Sequence, residues 1–173
     1  MIEEDELDYF KLQLKHLEES GNFDVEKYKK SLVFQTGQLE YFYCHIVKDG
    51  DCDHAVYQVK NRPEEHSMAY FNIGRGFPKE LMDGHWCYVV RDLGTKVLII
   101  PCTSIKKESR DYNPRFEKDI IITDSHKELK SRMQLSDMRM IDIQRLDTRK
   151  QFYQVLTPRN EINQFIISRL FDG

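Results

Sequence analysis

The sequence lacks the features that mark membrane-spanning, exported and low-complexity chains. Its 173 residues include only 5 Pro, 8 Gly and 4 Cys, too few for a collagen-like or Pro- and Gly-rich disordered chain. No apolar run approaches the roughly 20 residues of a membrane-spanning helix. The acidic start, MIEEDELDYF, lacks the basic and apolar regions of a signal peptide. We therefore expect a cytoplasmic protein with free thiols at Cys44, Cys52, Cys87 and Cys102.

Motifs for metals and nucleotides are also missing. The sequence has no Cys-x-x-Cys pair, no Walker or dinucleotide glycine spacing, and no Gly-x-Ser-x-Gly. Cys44-His45 and Cys52-Asp53-His54 could suggest zinc. However, adjacent residues on a helix do not face each other, and Cys44-His45 falls in a predicted helix. We predict neither a metal nor a cofactor.

Basic residues are slightly outnumbered by acidic ones, and the two are unevenly distributed along the chain. The formal net charge is −3. Residues 1–74 hold 8 Lys and Arg against 15 Asp and Glu, whereas residues 75–150 hold 16 against 12. An acidic first part and a mildly basic second part allow local attraction of phosphate in the second. The same charges could simply solvate a surface.

Helical periodicity dominates the first part of the chain. Leu7, Phe10, Leu14 and Leu17 fall on one helix face, and Ser20-Gly21-Asn22 predicts the end of that helix. Asn22 or Asp24 could cap a second, longer helix with the apolar positions Val25, Tyr28, Leu32, Leu39, Phe42 and Ile46. Lys48-Asp49-Gly50-Asp51 then predicts a turn. We place an N-terminal helical extension at residues 1–60.

Short segments rich in β-branched and aromatic residues fill residues 61–173. They are residues 67–74, 86–93, 96–104, 118–123 and 132–141. Each is bounded by Gly, Pro, Asp or Asn, as strands are, and residues 92–95 predict a tight hairpin. Thr157 and Pro158 predict the N-cap and first position of a last helix, with Ile162, Phe165 and Ile166 on its apolar face. The pattern predicts a small antiparallel barrel between helices, an α+β fold.

The order of several segments resembles the MazF/PemK toxins. Residues 97–104 read VLIIPCTS, an apolar strand ending in Thr, and residues 135–142 read LSDMRMID, similar to the family's Leu-x-Gln-x-Arg-x-Ile-Asp strand. Upstream, Asn72-Ile73-Gly74, Lys79-Glu80-Leu81 and residues 86–90 resemble the family's first strand, loop and second strand. The resemblance covers roughly residues 67–170, and residues 1–66 have no counterpart in it.

This resemblance implies an SH3-like antiparallel barrel with a C-terminal helix, and a metal-independent endoribonuclease. Such an enzyme cleaves single-stranded RNA by attack of the ribose 2′-OH on its own phosphate. The resemblance also implies a homodimer and a cognate antitoxin that blocks the RNA groove. The alternative is a module on the same barrel that binds RNA or protein and cuts nothing. A third possibility is an interaction protein that works through its aromatic second helix.

The resemblance assigns catalytic roles to an Arg and a Thr. By position Thr103 matches the Thr, while His85 stands where the family has its Arg and Asp137 replaces its Gln. A histidine can exchange a proton near neutral pH and suits acid–base catalysis. Arg75, between two glycines, is a candidate for compensating phosphate charge. Each of these side chains could instead be structural.

Basic residues of the loop between the predicted third and fourth strands, residues 106–115, are candidates for binding RNA. Lys106, Lys107, Arg110 and Arg115 surround Tyr112, so cations could follow the phosphates while the ring stacks on a base. Arg139, which matches the family's strand Arg, is a further candidate. It could also pair with Asp137 or Asp142, and residues 106–115 could be an ordinary solvated loop.

Overall fold

A computed structural model describes residues 2–47 and 59–171. They fall into two compact units, divided between residues 55 and 56.

The first unit contains two helices, α1 (Ile2–Glu19) and α2 (Val25–Tyr41). Gly21 follows α1 with a φ of +64°, a conformation that glycine adopts without strain. Asp24 caps α2, because its side chain accepts a hydrogen bond of 2.9 Å from the backbone N of Lys27. Asp24 rather than Asn22 is therefore the cap.

The predicted second helix changes form near its end. After Tyr41 the chain continues as a wider π-helical turn, Phe42–Ile46. The backbone N of Val47 donates to the carbonyl of Phe42, five residues back. The turn predicted at residues 48–51 lies outside the described residues.

The second unit is built on seven antiparallel strands. They are β1 (Ser67–Asn72), β2 (Gly84–Asp92), β3 (Lys96–Ser104), β4 (Glu117–Thr123), β5 (Glu128–Gln134), β6 (Arg139–Asp142) and β7 (Tyr153–Val155). Six of them pair in the order β2-β1-β7-β4-β5-β3, and β3 pairs again with β2, so the sheet closes into a barrel. The seventh, β6, pairs only with β3.

The single strand predicted at residues 132–141 was wrong. The chain forms β5 and β6 there, separated by one 3₁₀ turn, Leu135–Asp137. The reason is the length of β3: its end pairs with β5, with Cys102 opposite Met133. Its beginning pairs with β6, with Ile99 opposite Arg139. The sequence prediction also missed β7, which is only three residues long.

Alternate residues of the strands enter two different cores. One core takes side chains from all six barrel strands, and it therefore fills the barrel: Met68, Tyr88, Ile100, Cys102, Ile120, Ile122, Met133 and Val155. The other lies on the opposite face of β1, β2 and β3 and is completed by β6 and the chain after it: Ala69, Phe71, Cys87, Val89, Val97, Ile99, Ile141, Ile143 and Leu146. Burial on both faces makes β3 an almost continuous apolar segment.

The last helix, α3 (Arg159–Leu170), adds Ile162 to the core that fills the barrel. Phe165 and Ile166 pack against the same core. The predicted Thr157 cap was wrong. Pro158 precedes the helix, and the Thr157 hydroxyl instead accepts a 2.8 Å hydrogen bond from the backbone N of Ile121 in β4. Thr157 thus fastens the start of α3 to the barrel.

The architecture is an α+β fold, a small SH3-like antiparallel barrel with N-terminal helices and a C-terminal helix. This confirms the fold class predicted from the sequence. None of the helices in the described part of the chain has the length and apolar character to cross a bilayer.

Candidate functional site

The ends of two neighbouring strands bring His85 and Thr103 to one place. His85 lies at the beginning of β2 and Thr103 near the end of β3, and the two strands are antiparallel, with Trp86 opposite Cys102. Extending this register by one pair sets His85 opposite Thr103, and opposed residues point to the same face of a sheet. Nδ1 of His85 lies 3.4 Å from the carbonyl oxygen of Cys102. Both side chains are half-buried.

The aromatic residues beside His85 fix the start of β2. Trp86 contacts two rings edge-on, Tyr70 at a centroid distance of 5.4 Å and Tyr153 at 4.7 Å. Tyr70 is on β1 and Tyr153 on β7, so the indole links three strands at this end of the barrel. His85 is therefore carried by a rigid strand start, which a site of defined geometry requires.

Thr103 belongs to a row of polar residues that crosses three strands. It lies opposite Arg132 of β5, which lies opposite Asp119 of β4. Nε2 of Gln134, two residues along β5 on the same face, is 3.4 Å from Oγ1 of Thr103. The Thr103 hydroxyl therefore has a defined neighbour that donates to it.

Glu117 is the most buried charge of this face, with 1% of its side chain exposed. It accepts hydrogen bonds from Nη1 and Nη2 of Arg110 at 2.8 and 2.6 Å, and another from the backbone N of Asn113. Burial raises the pKa of Glu117, but the hydrogen bonds from Arg110, Asn113 and Gln134 outweigh burial and hold that pKa below its ordinary value. Glu117 is thus an anion at neutral pH and cannot act as a general acid there.

Arg132 is also held in a fixed position, with 8% of its side chain exposed. Nε and Nη2 donate to the two carboxylate oxygens of Asp119 at 2.6 and 3.0 Å, and Nη1 donates to the carbonyl of Arg110. The ring of Tyr112 lies 6.0 Å from the Arg132 guanidinium carbon. The hydrogen bond to Asp119 raises the pKa of Arg132. Arg132 and Glu117 together anchor the loop between β3 and β4.

Among the candidates for RNA binding, Arg110 is therefore tied to Glu117, and Tyr112 lies beside Arg132 while half of it remains exposed. Lys106, Lys107 and Arg115 are exposed. None of these three forms an ion pair with another residue in the part of the chain that the structure describes. Lys106 and Lys107 follow Thr103 by only three and four residues, so they are close to the strand end.

Two other arginines that the sequence named as site candidates, Arg75 and Arg139, lie beside carboxylates. Arg75, in the loop between β1 and β2, is 12% exposed, and its Nε lies 2.9 Å from Oδ1 of Asp83. Nη2 of Arg139 lies 3.4 Å from Oδ1 of Asp137. The same Asp137 oxygen accepts a hydrogen bond of 2.8 Å from the backbone N of Leu81. Asp137 thus joins the β1–β2 loop to the 3₁₀ turn.

Sequence reasoning missed Glu117, Asp119, Arg132 and Gln134. Their pattern did carry a signal, because polar residues recur with period two on both strands, at 117 and 119 and at 132 and 134. Such alternation places each pair on one face of its strand. The missing information was the pairing of β4 with β5, since the sequence pattern predicts one strand across residues 132–141.

The thiols and potential metal ligands give no site of their own. Cys87 and Cys102 are free and buried, and burial raises the pKa of the Cys102 thiol to about 12. Cys44 is exposed. Within residues 2–47 and 59–171 no three His, Cys, Asp or Glu side chains group as metal ligands. Cys52-Asp53-His54 lie outside the described residues.

No family model matches this chain, and no curated protein does either.

Proposed function

We propose that this protein is a metal-independent endoribonuclease that cleaves single-stranded RNA at the strand ends carrying His85 and Thr103. The observation that supports the proposal best is the position of these two residues on one face of neighbouring strand ends, with Nε2 of Gln134 3.4 Å from the Thr103 hydroxyl. An imidazole and a hydroxyl side by side can handle a proton and a phosphate oxygen together.

In the proposed reaction His85 is the general base. An Nδ1 proton directed at the Cys102 carbonyl leaves the lone pair of Nε2 free. Nε2 takes the proton of the ribose 2′-OH as the 2′ oxygen bonds to phosphorus. The bond from phosphorus to the 5′ oxygen breaks, and that oxygen takes a proton from water. The hydroxide left behind takes back the proton that Nε2 of His85 removed, so the base is restored. The products are a 2′,3′-cyclic phosphate and a 5′-OH.

Thr103 is the proposed donor to the phosphate. Because Nε2 of Gln134 donates to Oγ1, the hydroxyl proton of Thr103 is available to a non-bridging phosphate oxygen. The Thr103 hydroxyl is neutral, so it stabilises less negative charge on the phosphate than a guanidinium would. The MazF/PemK toxins have such a guanidinium at the position that His85 occupies here. The exposed Lys106, Lys107 and Arg115 supply positive charge along the RNA, and Tyr112 supplies a ring for stacking.

The biological role we propose is that of the toxin in a toxin–antitoxin pair, acting in the cytoplasm as a homodimer. This part of the proposal is supported by the resemblance of residues 67–170 to the MazF/PemK toxins. An acidic antitoxin segment suits a surface bearing Lys106, Lys107 and Arg115. Expression in a bacterium without the antitoxin is expected to arrest growth.

The test is cleavage of a labelled single-stranded RNA by the full-length protein in EDTA. We expect products ending in a cyclic phosphate, and no cut where the scissile nucleotide lacks its 2′-OH. His85→Ala and Thr103→Ala should each reduce the rate roughly 100-fold or more. His126→Ala and Thr148→Ala, at exposed positions away from these strand ends, should leave it unchanged. Full activity of His85→Ala would refute the assignment.

A second candidate is an RNA-binding module without catalysis. The specific observation in its favour is that Arg75 and Arg139 both face carboxylates, Asp83 and Asp137. Intact RNA bound with salt-dependent affinity would identify this function.

A further inference from the structure

An open groove lies between the end of the loop that joins β3 to β4 and the last turn of α3. Its volume is about 390 Å³, and it is lined by Pro114, Arg115, Ser168 and Arg169. All four residues belong to the second unit. Among these described residues two carry a guanidinium group and none carries a carboxylate side chain. The groove therefore has an excess of positive charge.

Contacts within the second unit fix Arg169 at the groove. Its Nε donates a 2.7 Å hydrogen bond to the carbonyl of Pro114. Its guanidinium carbon lies 5.9 Å from the centre of the Phe165 ring, a cation–π contact. A guanidinium group has five N–H donors, and the Pro114 carbonyl takes only one of them. Arg169 is thus a cation held in place with donors to spare.

The turn that carries Arg115 is fixed as well. The backbone N of Arg115 donates to Oδ1 of Asn113 at 3.1 Å, and the backbone N of Asn113 donates to the buried carboxylate of Glu117. The Arg115 side chain is exposed. Neither Arg115 nor Arg169 forms an ion pair with another residue of the described ranges. The backbone of each guanidinium carrier is thus anchored, while its charge faces the groove uncompensated.

A structural role alone does not account for both guanidinium groups. A cation in the last turn of a helix complements the helix dipole, which would explain Arg169 but not Arg115. Lys118 lies 5.9 Å from the centre of the same Phe165 ring, and it is paired with Glu161 at 2.6 Å. Like charges around one groove repel each other, and an anion between them relieves the repulsion. An anionic ligand is therefore the group that this groove fits.

We propose that the groove binds a phosphate group of the RNA strand, away from the bond that is cut. Guanidinium groups bind phosphate oxygens through two parallel hydrogen bonds. Hydrogen bonds connect the groove to the proposed cleavage site, from Asn113 through Glu117 and Gln134 to Thr103. Two strand spacings, about 10 Å, separate β3 from β4, so an RNA strand crossing β3, β5 and β4 brings another of its phosphates to the groove.

This inference rests on the RNA binding in the proposed function, and it adds Arg169 to the residues that contact RNA. Its test measures binding and not cleavage, so its result does not depend on the roles of His85 and Thr103. A fluorescent single-stranded RNA with 2′-fluoro riboses has no 2′-OH to attack its phosphates. It is titrated with the full-length protein at several salt concentrations, and fluorescence anisotropy reports the affinity.

Arg169→Gln and Arg115→Gln are each expected to weaken binding about fivefold in about 0.1 M salt, because a phosphate contact is lost. The slope of the logarithm of affinity against the logarithm of salt concentration should become shallower by about 0.7. The double variant should lose less than the product of the two single losses, since both side chains hold one phosphate. Lys96→Gln removes an exposed charge at the far end of β3 from Thr103 and should change neither quantity.

Arg169→Lys separates phosphate binding from a purely structural role. It keeps the positive charge and should recover most of the affinity and the salt slope. If Arg169 only fastens α3 to the loop, Arg169→Gln will lower stability in urea and leave the salt slope unchanged, and the inference is overturned. Independent, fully multiplicative losses for Arg115 and Arg169 would also overturn a shared phosphate. A wild type that binds no RNA would sink the proposed function together with the groove, whereas a binding wild type with an unaffected Arg169→Gln sinks the groove alone.

Discussion

At the scale of single residues, Gln134 controls the direction of a neighbouring hydroxyl. A side-chain amide has two N–H donors and one carbonyl oxygen. Glu117, ionised at neutral pH, can only accept, and it accepts from Gln134. The amide nitrogen must therefore face Glu117 and, 3.4 Å away, Thr103. A chain of hydrogen bonds runs from Arg110 through Glu117 and Gln134 to Thr103. It fixes the direction in which the Thr103 hydroxyl points.

Gln134→Leu should accordingly slow RNA cleavage while RNA binding is retained. We expect kcat to fall about 10- to 100-fold, because the Thr103 hydroxyl loses its orientation, while KM changes little. Steady-state kinetics on a labelled RNA measures both. Gln154→Leu, at an exposed position on β7, is the control. A change in KM alone would show that Gln134 contributes to binding and not to positioning.

The sequence predicted part of this site at the residue scale. His85 and Thr103 could be chosen because the resemblance to the MazF/PemK toxins singles out their positions in the order of the chain. Gln134 and Glu117 could not, since their role arises from the β3–β5–β4 register. Arg75 was chosen as a cation for the phosphate, but its partner Asp83 depends on a loop that no local pattern specifies. The pairing of Arg139 with Asp137 was one of the alternatives left open by the sequence.

At the scale of elements, the loop between β3 and β4 is fastened to the barrel by charged groups. Arg110 reaches Glu117 and the Arg110 carbonyl reaches Arg132. The loop therefore keeps Tyr112 beside Arg132 while its lysines stay in solvent. For the RNA binding proposed above, a loop that is ordered in advance loses less conformational entropy on binding.

Glu117→Gln is expected to loosen this loop and destabilise the barrel by about 2 kcal/mol, the size of hydrogen bonds to a charged group. Because the folded pKa of Glu117 is lowered, its contribution is complete above the ordinary value of 4.5 and is lost as pH falls through the folded pKa. The stability of the variant should thus fall less steeply below that pH. Urea unfolding at several pH values measures this.

The comparison for this substitution is Glu128→Gln, at an exposed position on β5, which should change stability by less than about 0.5 kcal/mol. Equal stability and an equal pH dependence for Glu117→Gln and the wild type would contradict the anchoring role of Glu117.

The strands themselves were predicted where local pattern determines them. The strand predicted at residues 96–104 has the same bounds as β3. A continuous apolar run between polar segments at this length is typical of a buried strand. The division into β5 and β6 was missed because both lie in one stretch of strand-forming residues, and only the shared partner β3 separates them. The three residues of β7 are too few to show an alternation.

At the scale of the whole molecule, the helical unit and the barrel obtain stability differently. The barrel has two cores of its own, whereas residues 5–47 bury only Val25 completely. Helix α3 completes one end of the barrel. It does so through Ile162, which has none of its surface exposed and lies in the barrel core.

Ile162→Ala should therefore destabilise the barrel by about 2–5 kcal/mol, the cost of truncating a fully buried aliphatic side chain. Ile167→Ala, on the same helix but 51% exposed, should cost less than about 1 kcal/mol. Urea unfolding followed by Trp86 fluorescence and by far-ultraviolet circular dichroism gives both values. Similar costs for the two substitutions would show that α3 does not close the barrel.

Because β3 separates the two cores, its alignment against β2, β5 and β6 has a single acceptable setting. A slip of β3 by one residue would exchange Ile99 with Ile100 between the cores at little cost in volume. The same slip would turn the Thr103 hydroxyl into the barrel and bring the Cys102 thiol out beside Gln134. Packing alone tolerates that error, but the polar row of Thr103, Arg132 and Asp119 does not. Thr103, which is proposed for chemistry, therefore also protects the strand against misalignment.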